Sequence, residues 1–487
     1  MTDPVSRRDF LRITATAAGG AVLAAHWAAG TGGAAEAPTT APADQAGEAW
    51  PKLPAVKIHK VFIGRTGGYM ARPTEEKAKL DKYLDELGKK LGGVEFVGGE
   101  TIPPDKADAV AANVAKSDGL LVIYLSGHGG DAPVLGKLFD TGVPAALFFQ
   151  PFGGHGWMYF KDWRKQGKKV LVMSTSDWSD LDRAVAMVRA AIWMKQTRIL
   201  CIGDLRGTAA GCDGEQVRKK LGAELVNVDN KKILEIARSI DPKIAEAEAQ
   251  QYWISQARQI VEPTRPEIID SARYYLAVKE LMIREKAQAV TSSLCMGNPR
   301  GCLTFSKLND LGLVGACEGD IDSTLTMLLF AYAFRVPGFI TDPVIDVSKN
   351  AMIHFHCTSA TKMDGPDGKR LPFVLRNQTD TGGGVAVQAE HRVGQAVTCA
   401  KLVNLDTMLI CPGKIIETST SPLACRTQFT QTVRDARGLL LNWGAGAIEG
   451  GVMTLLHRVV FYGDYAKAVQ DLGDLMGFKV VEEGGQA

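Results

Sequence analysis

The densest grouping of acids and glycine in the chain is Cys317-Glu318-Gly319-Asp320-Ile321-Asp322-Ser323. It follows the apolar stretch 311–316 and precedes an apolar helical pattern from Thr324 to Phe334. In an open α/β sheet, such a strand-to-helix junction lies at the carboxyl edge, where ligands bind. Asp320 or Asp322 could serve simply to cap the first helical turn. Capping explains one acid, not three, and Glu318 is the leading candidate for chemistry. The next apolar run, Pro337-Gly338-Phe339-Ile340-Thr341-Asp342-Pro343, reads as a buried strand ending on an acid. If the helix over 324–334 is a crossover between two parallel strands, Glu318 and Asp342 emerge side by side at one sheet edge. An Asp before Pro is usually a turn former; its pairing with Glu318 is what singles it out. Two carboxylates converging there suit a hard divalent cation such as manganese or magnesium.

The chain has eight histidines, so their placement is informative. His354 and His356 fall on one face of the strand-like Ala351–Cys357. His457 follows the glycine-rich stretch 444–451 and leads into Arg458-Val459-Val460-Phe461-Tyr462-Gly463-Asp464. His128 and His155 sit in glycine loops after strands, where a substrate contact would be in place. Taken one at a time, histidines in such positions are more often hydrogen-bonded core residues than ligands.

These residues need elements to hold them. From Val56 onward, strand and helix patterns alternate: strands at 56–64, 94–97, 119–125, 145–149 and 169–173, with helices over 75–90 and 106–115 between them. This is the pattern of a parallel sheet covered by helices. A second run of the same kind starts at Arg198, with a polar helical region over 243–286 and a strand at 289–294. From about Ile345 to Thr432, β-branched and turn-forming stretches dominate and read as an antiparallel β module. A helical pattern over 464–476 follows. At 487 residues the chain exceeds what one core accommodates,. The expected division is an α/β domain over 55–196, a second over 197–345 carrying the acids, and a β-rich, barrel-like domain over 346–487.

Ahead of these, Ser6-Arg7-Arg8-Asp9-Phe10-Leu11-Arg12 precedes a moderately apolar run to Ala29, the pattern of a twin-arginine export signal over 1–30,. The run is short and broken by Gly19, Gly20 and His26, so it would span a membrane poorly. The expectation is an exported, periplasmic or secreted protein with no stable membrane span. Residues 31–54, rich in Ala, Pro, Thr and Gly, read as a flexible tether. Nine cysteines, an odd number with no CxxC pair, several inside apolar runs, read as mostly reduced and buried,. A net charge of +2 gives no hint of nucleic-acid binding, which would need a clustered basic surface,.

At these residues the sequence resembles the L-fucose isomerase-like family, which is related to the L-arabinose isomerases. The segments that carry the resemblance are Leu308–Gly312 leading into Ala316-Cys317-Glu318-Gly319-Asp320, then Ile340-Thr341-Asp342, Phe355-His356-Cys357, Cys425-Arg426-Thr427 and His457–Asp464. It covers roughly 291–478 and is architectural over 55–290. Thr358 and Pro343 depart from the family's pattern. The resemblance implies two doubly wound, Rossmann-like α/β domains followed by a β-rich domain, in an enzyme that interconverts aldoses and ketoses and assembles as a homo-oligomer. It also implies a manganese ion held by Glu318, Asp342 and His457, with His356 as an added ligand. His128, in a loop where the family has no histidine, is with His356, Asp320 and Arg426 a candidate substrate contact, and Asp320 is also a candidate to support the ligands. Chemistry through a cis-enediolate would make Glu318 and Asp342 the acid and base. Two other readings stay open: a non-catalytic sugar receptor, and a metal-dependent hydrolase or epimerase acting on a sugar derivative.

Overall fold

Strands β1 (Val56–Ile63), β2 (Val94–Ile102), β3 (Gly119–Tyr124), β4 (Ala145–Phe149) and β5 (Val170–Ser174) are short apolar runs, and they form a parallel sheet in the order β2-β1-β3-β4-β5. Alternate residues feed two cores. Ile58, Phe62, Leu121 and Ile123 pack with Leu80, Leu84 and Val185, while Val61, Leu120 and Val122 pack with Val110, Val114 and Leu135. This two-sided burial is why these strands read as continuous apolar stretches rather than as polar–apolar alternation.

The computed structural model describes residues 50–64, 73–103, 106–126, 132–296, 300–379, 382–448 and 451–484. The expected export signal, all of the tether before Trp50, and His128 lie outside them. Trp50 and Leu53, at the end of the expected tether, pack against the cores.

A second parallel sheet joins β6 (Arg198–Ile202), β7 (Glu224–Val228), β9 (Ala289–Ser292) and β10 (Val314–Cys317) in the order β10-β9-β6-β7. The polar region expected to be helical over 243–286 is divided. A helix Pro242–Ala249 runs into a π-turn at Gln250–Ile254, then the two-residue strand β8 (Gln259–Ile260), then a helix Arg265–Arg284. That last helix starts at a capping box, with the Thr264 backbone N–H and hydroxyl donating to the Glu267 carboxylate,. β8 leaves the parallel sheet to pair with β13 (Phe373–Arg376), which in turn pairs with β14 (Ala386–Ala389).

The remaining strands close a six-stranded barrel. β11 (Phe339–Asp346), β12 (Ala351–His356), β15 (Ala396–Val403), β16 (Thr407–Thr418), β17 (Thr427–Thr432) and β18 (Arg458–Tyr462) run in the order β15-β18-β11-β12-β17-β16, and β16 pairs back to β15. β19 (Lys479–Glu482) adds in parallel to β16. Phe339, Met352, Val397, Cys399, Phe429 and Val460 pack together in the barrel core. The chain is thus a mixed α/β fold with parallel sheets and a closed β-barrel.

One expectation is corrected here. β11 does not lie beside β10 in a parallel sheet; it pairs antiparallel with β12 and β18 in the barrel. The helix Ile321–Phe334 is therefore not a crossover within one sheet. Its end residue, Arg335, takes a left-handed conformation (φ 57°) that turns the chain. At Gly338 a Cβ would lie 2.4 Å from the Val459 side chain, so β11 can approach β18 only without one. Nearly every residue of the helix is buried, and Leu325 and Leu328 share a core with Ala316, Leu402 and Val459. It is a buried wedge between parallel sheet and barrel.

The eight cysteines whose side chains are described form no disulfide among themselves. Among the described residues no helix is long and apolar enough to cross a membrane.

Candidate metal centre

β10 ends at Cys317, and the next two residues turn sharply. Glu318 is left-handed (φ 62°), a conformation that costs a non-glycine residue roughly 1 kcal/mol and is often retained at functional sites,. Gly319 follows at φ 69°, and a Cβ there would lie 2.3 Å from the Asp204 carbonyl oxygen. The loop after β6 clamps this turn, with Arg206 N–H donating to the Gly319 carbonyl (2.9 Å) and Ile321 N–H donating to the Arg206 carbonyl (3.0 Å). The strained turn aims Glu318 away from its own sheet and toward the barrel.

There it meets three barrel residues. His457 Nε2 lies 3.3 Å from Asp342 Oδ1 and 3.7 Å from Glu318 Oε2. His356 Nε2 lies 3.8 Å from Glu318 Oε1 and 3.9 Å from Asp342 Oδ2. Ligand atoms of Asp342, His356 and His457 all fall within 4.8 Å of one another, as do those of Cys317, Glu318 and His356. Most of these separations exceed an N–H···O hydrogen bond. Among the described residues neither His356 Nε2 nor His457 Nε2 has a hydrogen-bond partner, although both rings are buried. Donors about 2.1 Å from a common cation sit roughly 3–3.5 Å apart. Two carboxylates and two imidazoles at slightly wider spacing, with their free nitrogens turned inward, fit such an ion.

The three acids of the 317–323 segment take separate roles. Asp320 caps the helix, accepting from Ser323 N–H (2.8 Å), and its other oxygen accepts from Lys401 Nζ (2.7 Å) and meets His457 Nδ1 at 2.9 Å. Capping and histidine orientation are served by one carboxylate, which fixes the ring so that Nε2 faces the other ligands. With these partners Asp320 is 4% exposed and stands behind His457. Asp322 is fully buried and accepts from Thr208 N–H (2.7 Å) and Oγ1 (2.9 Å), tying the helix to the loop after β6.

The electrostatics follow from these contacts. Burial would raise the Asp320 carboxyl, but Lys401 and His457 hold it well below the usual range. Burial opposes protonation of His457, yet its bond to Asp320 and the facing Asp342 carboxylate carry it up to about 9. His356 is raised against the same burial penalty by Glu318 and Asp342. Glu318 is held down, chiefly by His356; Asp342 is lowered by His457 and His356 in spite of its burial. Burial pushes Asp322 up to about 6.

Other candidates lie elsewhere. His354 bonds Thr341 Oγ1 (2.8 Å), stacks on Phe429 and is driven by burial down to about 3. Arg426 donates to the Asn377 carbonyl (2.5 Å) and reaches Glu262 at 3.8 Å. His155 is exposed at the start of a short 3-10 turn. Two residues were not singled out in the sequence. Lys401 is a fully buried lysine inside the apolar strand β15, and a charge at an inward strand position was the available signal. Arg206 lies in the glycine-bounded loop after β6, exposed, with Nη1 3.5 Å from Glu318 Oε2.

No protein-family profile matches the chain, and no curated protein is similar to it. Among solved structures it shows a weak likeness to GanP, a glucose-galactose binding protein from Geobacillus stearothermophilus. The identity is 12%, over 58% of this chain and 92% of that one, with a TM-score of 0.17, too low to carry an argument.

Proposed function

We propose that this protein is a metal-dependent aldose–ketose isomerase of the L-fucose isomerase-like type. The observation that carries the reading is the convergence of Glu318 and Asp342 with two buried histidines whose facing nitrogens have no hydrogen-bond partner among the described residues. Glu318, Asp342 and His457 would hold a divalent cation, manganese by the family resemblance, with His356 beside them. Bound there, the cation supplies Lewis-acid polarisation of a sugar's carbonyl and adjacent hydroxyl. Glu318 and Asp342 keep low proton affinity, so each stays ionised and able to accept a proton from the carbon next to the carbonyl,. Asp320 holds the His457 ring, and Lys401 neutralises Asp320 behind it. Arg206, exposed beside Glu318, is placed to meet a substrate hydroxyl. The same reading takes the two parallel sheets as Rossmann-like, doubly wound domains ahead of the barrel. It also includes export through the 1–30 signal and homo-oligomeric assembly.

The test is deuterium wash-in from solvent into a panel of aldoses and ketoses with manganese present, beside binding calorimetry. We expect exchange in the wild type and a loss of about 10²–10⁴-fold in Glu318→Gln, which keeps shape and one oxygen but cannot accept the proton. Tight sugar binding with no exchange between about pH 6 and 9 would overturn the isomerase reading in favour of a receptor. Exchange surviving in Glu318→Gln would move the base to Asp342.

A further inference from the structure

The helix Ile321–Phe334 leads away from the metal centre to a second concave site. Around its carboxyl end lies a cavity of about 500 Å³, within the range that holds small organic ligands,. Its walls are largely aliphatic, including Leu91, Leu313, Leu328, Val336 and Pro366. Two arginines face it, Arg189 and Arg335.

Arg189 is the unusual residue. It is 2% exposed, in the middle of the helix Ser179–Met194. Nη1 donates to the carbonyls of Leu91 (2.9 Å) and Gly92 (2.8 Å), and Nη2 to that of Tyr332 (3.2 Å). Nε is buried with no partner among the described residues. The face of Trp193 lies 4.2 Å away and offers cation–π attraction but no negative charge,. Burial, aided by the like charge of neighbouring Arg335, pulls the Arg189 guanidinium down to about 10. Arg335 has an acid of its own, Asp367, at 2.9 Å, but that carboxylate is almost fully exposed at the surface. A guanidinium out of water without a counter-ion is costly, and such groups are normally paired. Lys52 adds a third, exposed cation to the wall, and two further polar side chains of the wall are already engaged. Gln288 bonds Arg198 N–H and the Lys286 carbonyl, and Asn309 bonds both the N–H and carbonyl of Gly315. The site thus offers positive charge and apolar surface, and little for a polyhydroxylated sugar to bond.

We propose that this cavity binds a small monocarboxylate with an apolar body. The carboxylate lies against Arg189 and Arg335, and the body lies along Leu313, Leu328 and Val336. Nothing in this inference depends on the metal centre or its activity.

The experiment is calorimetry and thermal melting of the full chain with octanoate, 4-phenylbutyrate, the alcohols of matching skeleton, and inorganic phosphate. The acids are expected to bind one per chain and raise the melting temperature, with the alcohols and phosphate at least about tenfold weaker. Preference between the two acids tells an aliphatic body from an aromatic one. Arg335→Gln should weaken acid binding about tenfold, and Arg189→Gln by more. Ala331→Phe, which fills the cavity from the partly buried Ala331 on its wall, should abolish acid binding while a cooperative thermal melt is retained. Since Arg189→Gln could fail to fold, Arg335→Gln and Ala331→Phe decide the matter by themselves. Alcohols or phosphate binding as tightly as the acids, or acid binding that survives Ala331→Phe, would overturn the proposal.

Discussion

His457 and Arg458 are neighbours in the chain, both buried, and they stand in opposite electrostatic conditions. Arg458 makes two bonds to Glu483 (2.8 and 2.7 Å), donates to the carbonyls of Leu455 and His457, and lies over the Trp443 ring. Every strong demand of that guanidinium is met from within the fold. His457 is bonded on one side alone, through Nδ1; its Nε2 faces two carboxylates at distances too long or too poorly aligned to bond. Burial and charge do not separate a structural ion pair from a binding site. Satisfaction does: the first pair is closed, and the second group keeps a nitrogen without a partner among the described residues.

The comparison can be broken at either end. The largest expected effect is at the closed pair. Glu483→Ala leaves Arg458 buried without its partner and should cost about 3–5 kcal/mol, read as a lower urea midpoint. A cost below about 1 kcal/mol would mean that the pair contributes little and that the contrast with His457 is empty. The open group should instead gain from what it binds. Manganese at about a hundredfold excess over its dissociation constant should add roughly 2.7 kcal/mol, and exhaustive chelation should remove it. Identical melting curves after chelation and after manganese add-back would count strongly against a bound cation. The smallest effect comes from an acid that is poorly satisfied but belongs to no cluster of ligands. Asp471, in the helix Ala466–Met476, has Arg183 no nearer than 3.9 Å, and burial raises its carboxyl from 3.8 to about 6. The folded state then holds this proton more tightly than the unfolded chain, so stability falls as pH rises from about 4 to 6. Asp471→Asn should be more stable than wild type by about 1 kcal/mol at pH 7, after allowance for partial exposure, and no different below pH 4. Equal gains at pH 7 and at pH 3.5 would show that the charge is not the cause.

Much of the architecture was legible because it is local. The strand at Ala145–Phe149 and the helix over 324–334 are continuous apolar runs that periodicity finds, and the turn chemistry of Glu318-Gly319 marks the end of β10. What could not be read was pairing. β11 follows a buried helix and is itself apolar, so its neighbour in sequence suggested a parallel crossover. Its partners are β12, the next strand, and β18, more than a hundred residues later, and nothing local to Phe339–Asp346 reports the second. Glu318 and Asp342 therefore meet from different layers rather than from one sheet edge. Lys401 went unnoticed for the same reason, since its meaning comes from Asp320, 81 positions earlier. His391, buried between Ser359 and Tyr462 and held near 3 by burial, shows the other side of histidine scarcity: a rare residue used for packing.

The way the ligands are gathered bears on the order in which the molecule folds. Asp320 and His457 touch across 137 positions, and Glu318 comes from a sheet that the barrel strands do not join. Closing so long a segment is entropically slow, and contacts of this separation are among the last that a chain secures. Glu318 can meet the other three residues only after the barrel has closed and docked onto the parallel sheet. A nascent or partly refolded chain can bring together Asp342 and His356, on adjoining strands, but not the full set of four, which exists only in the finished molecule.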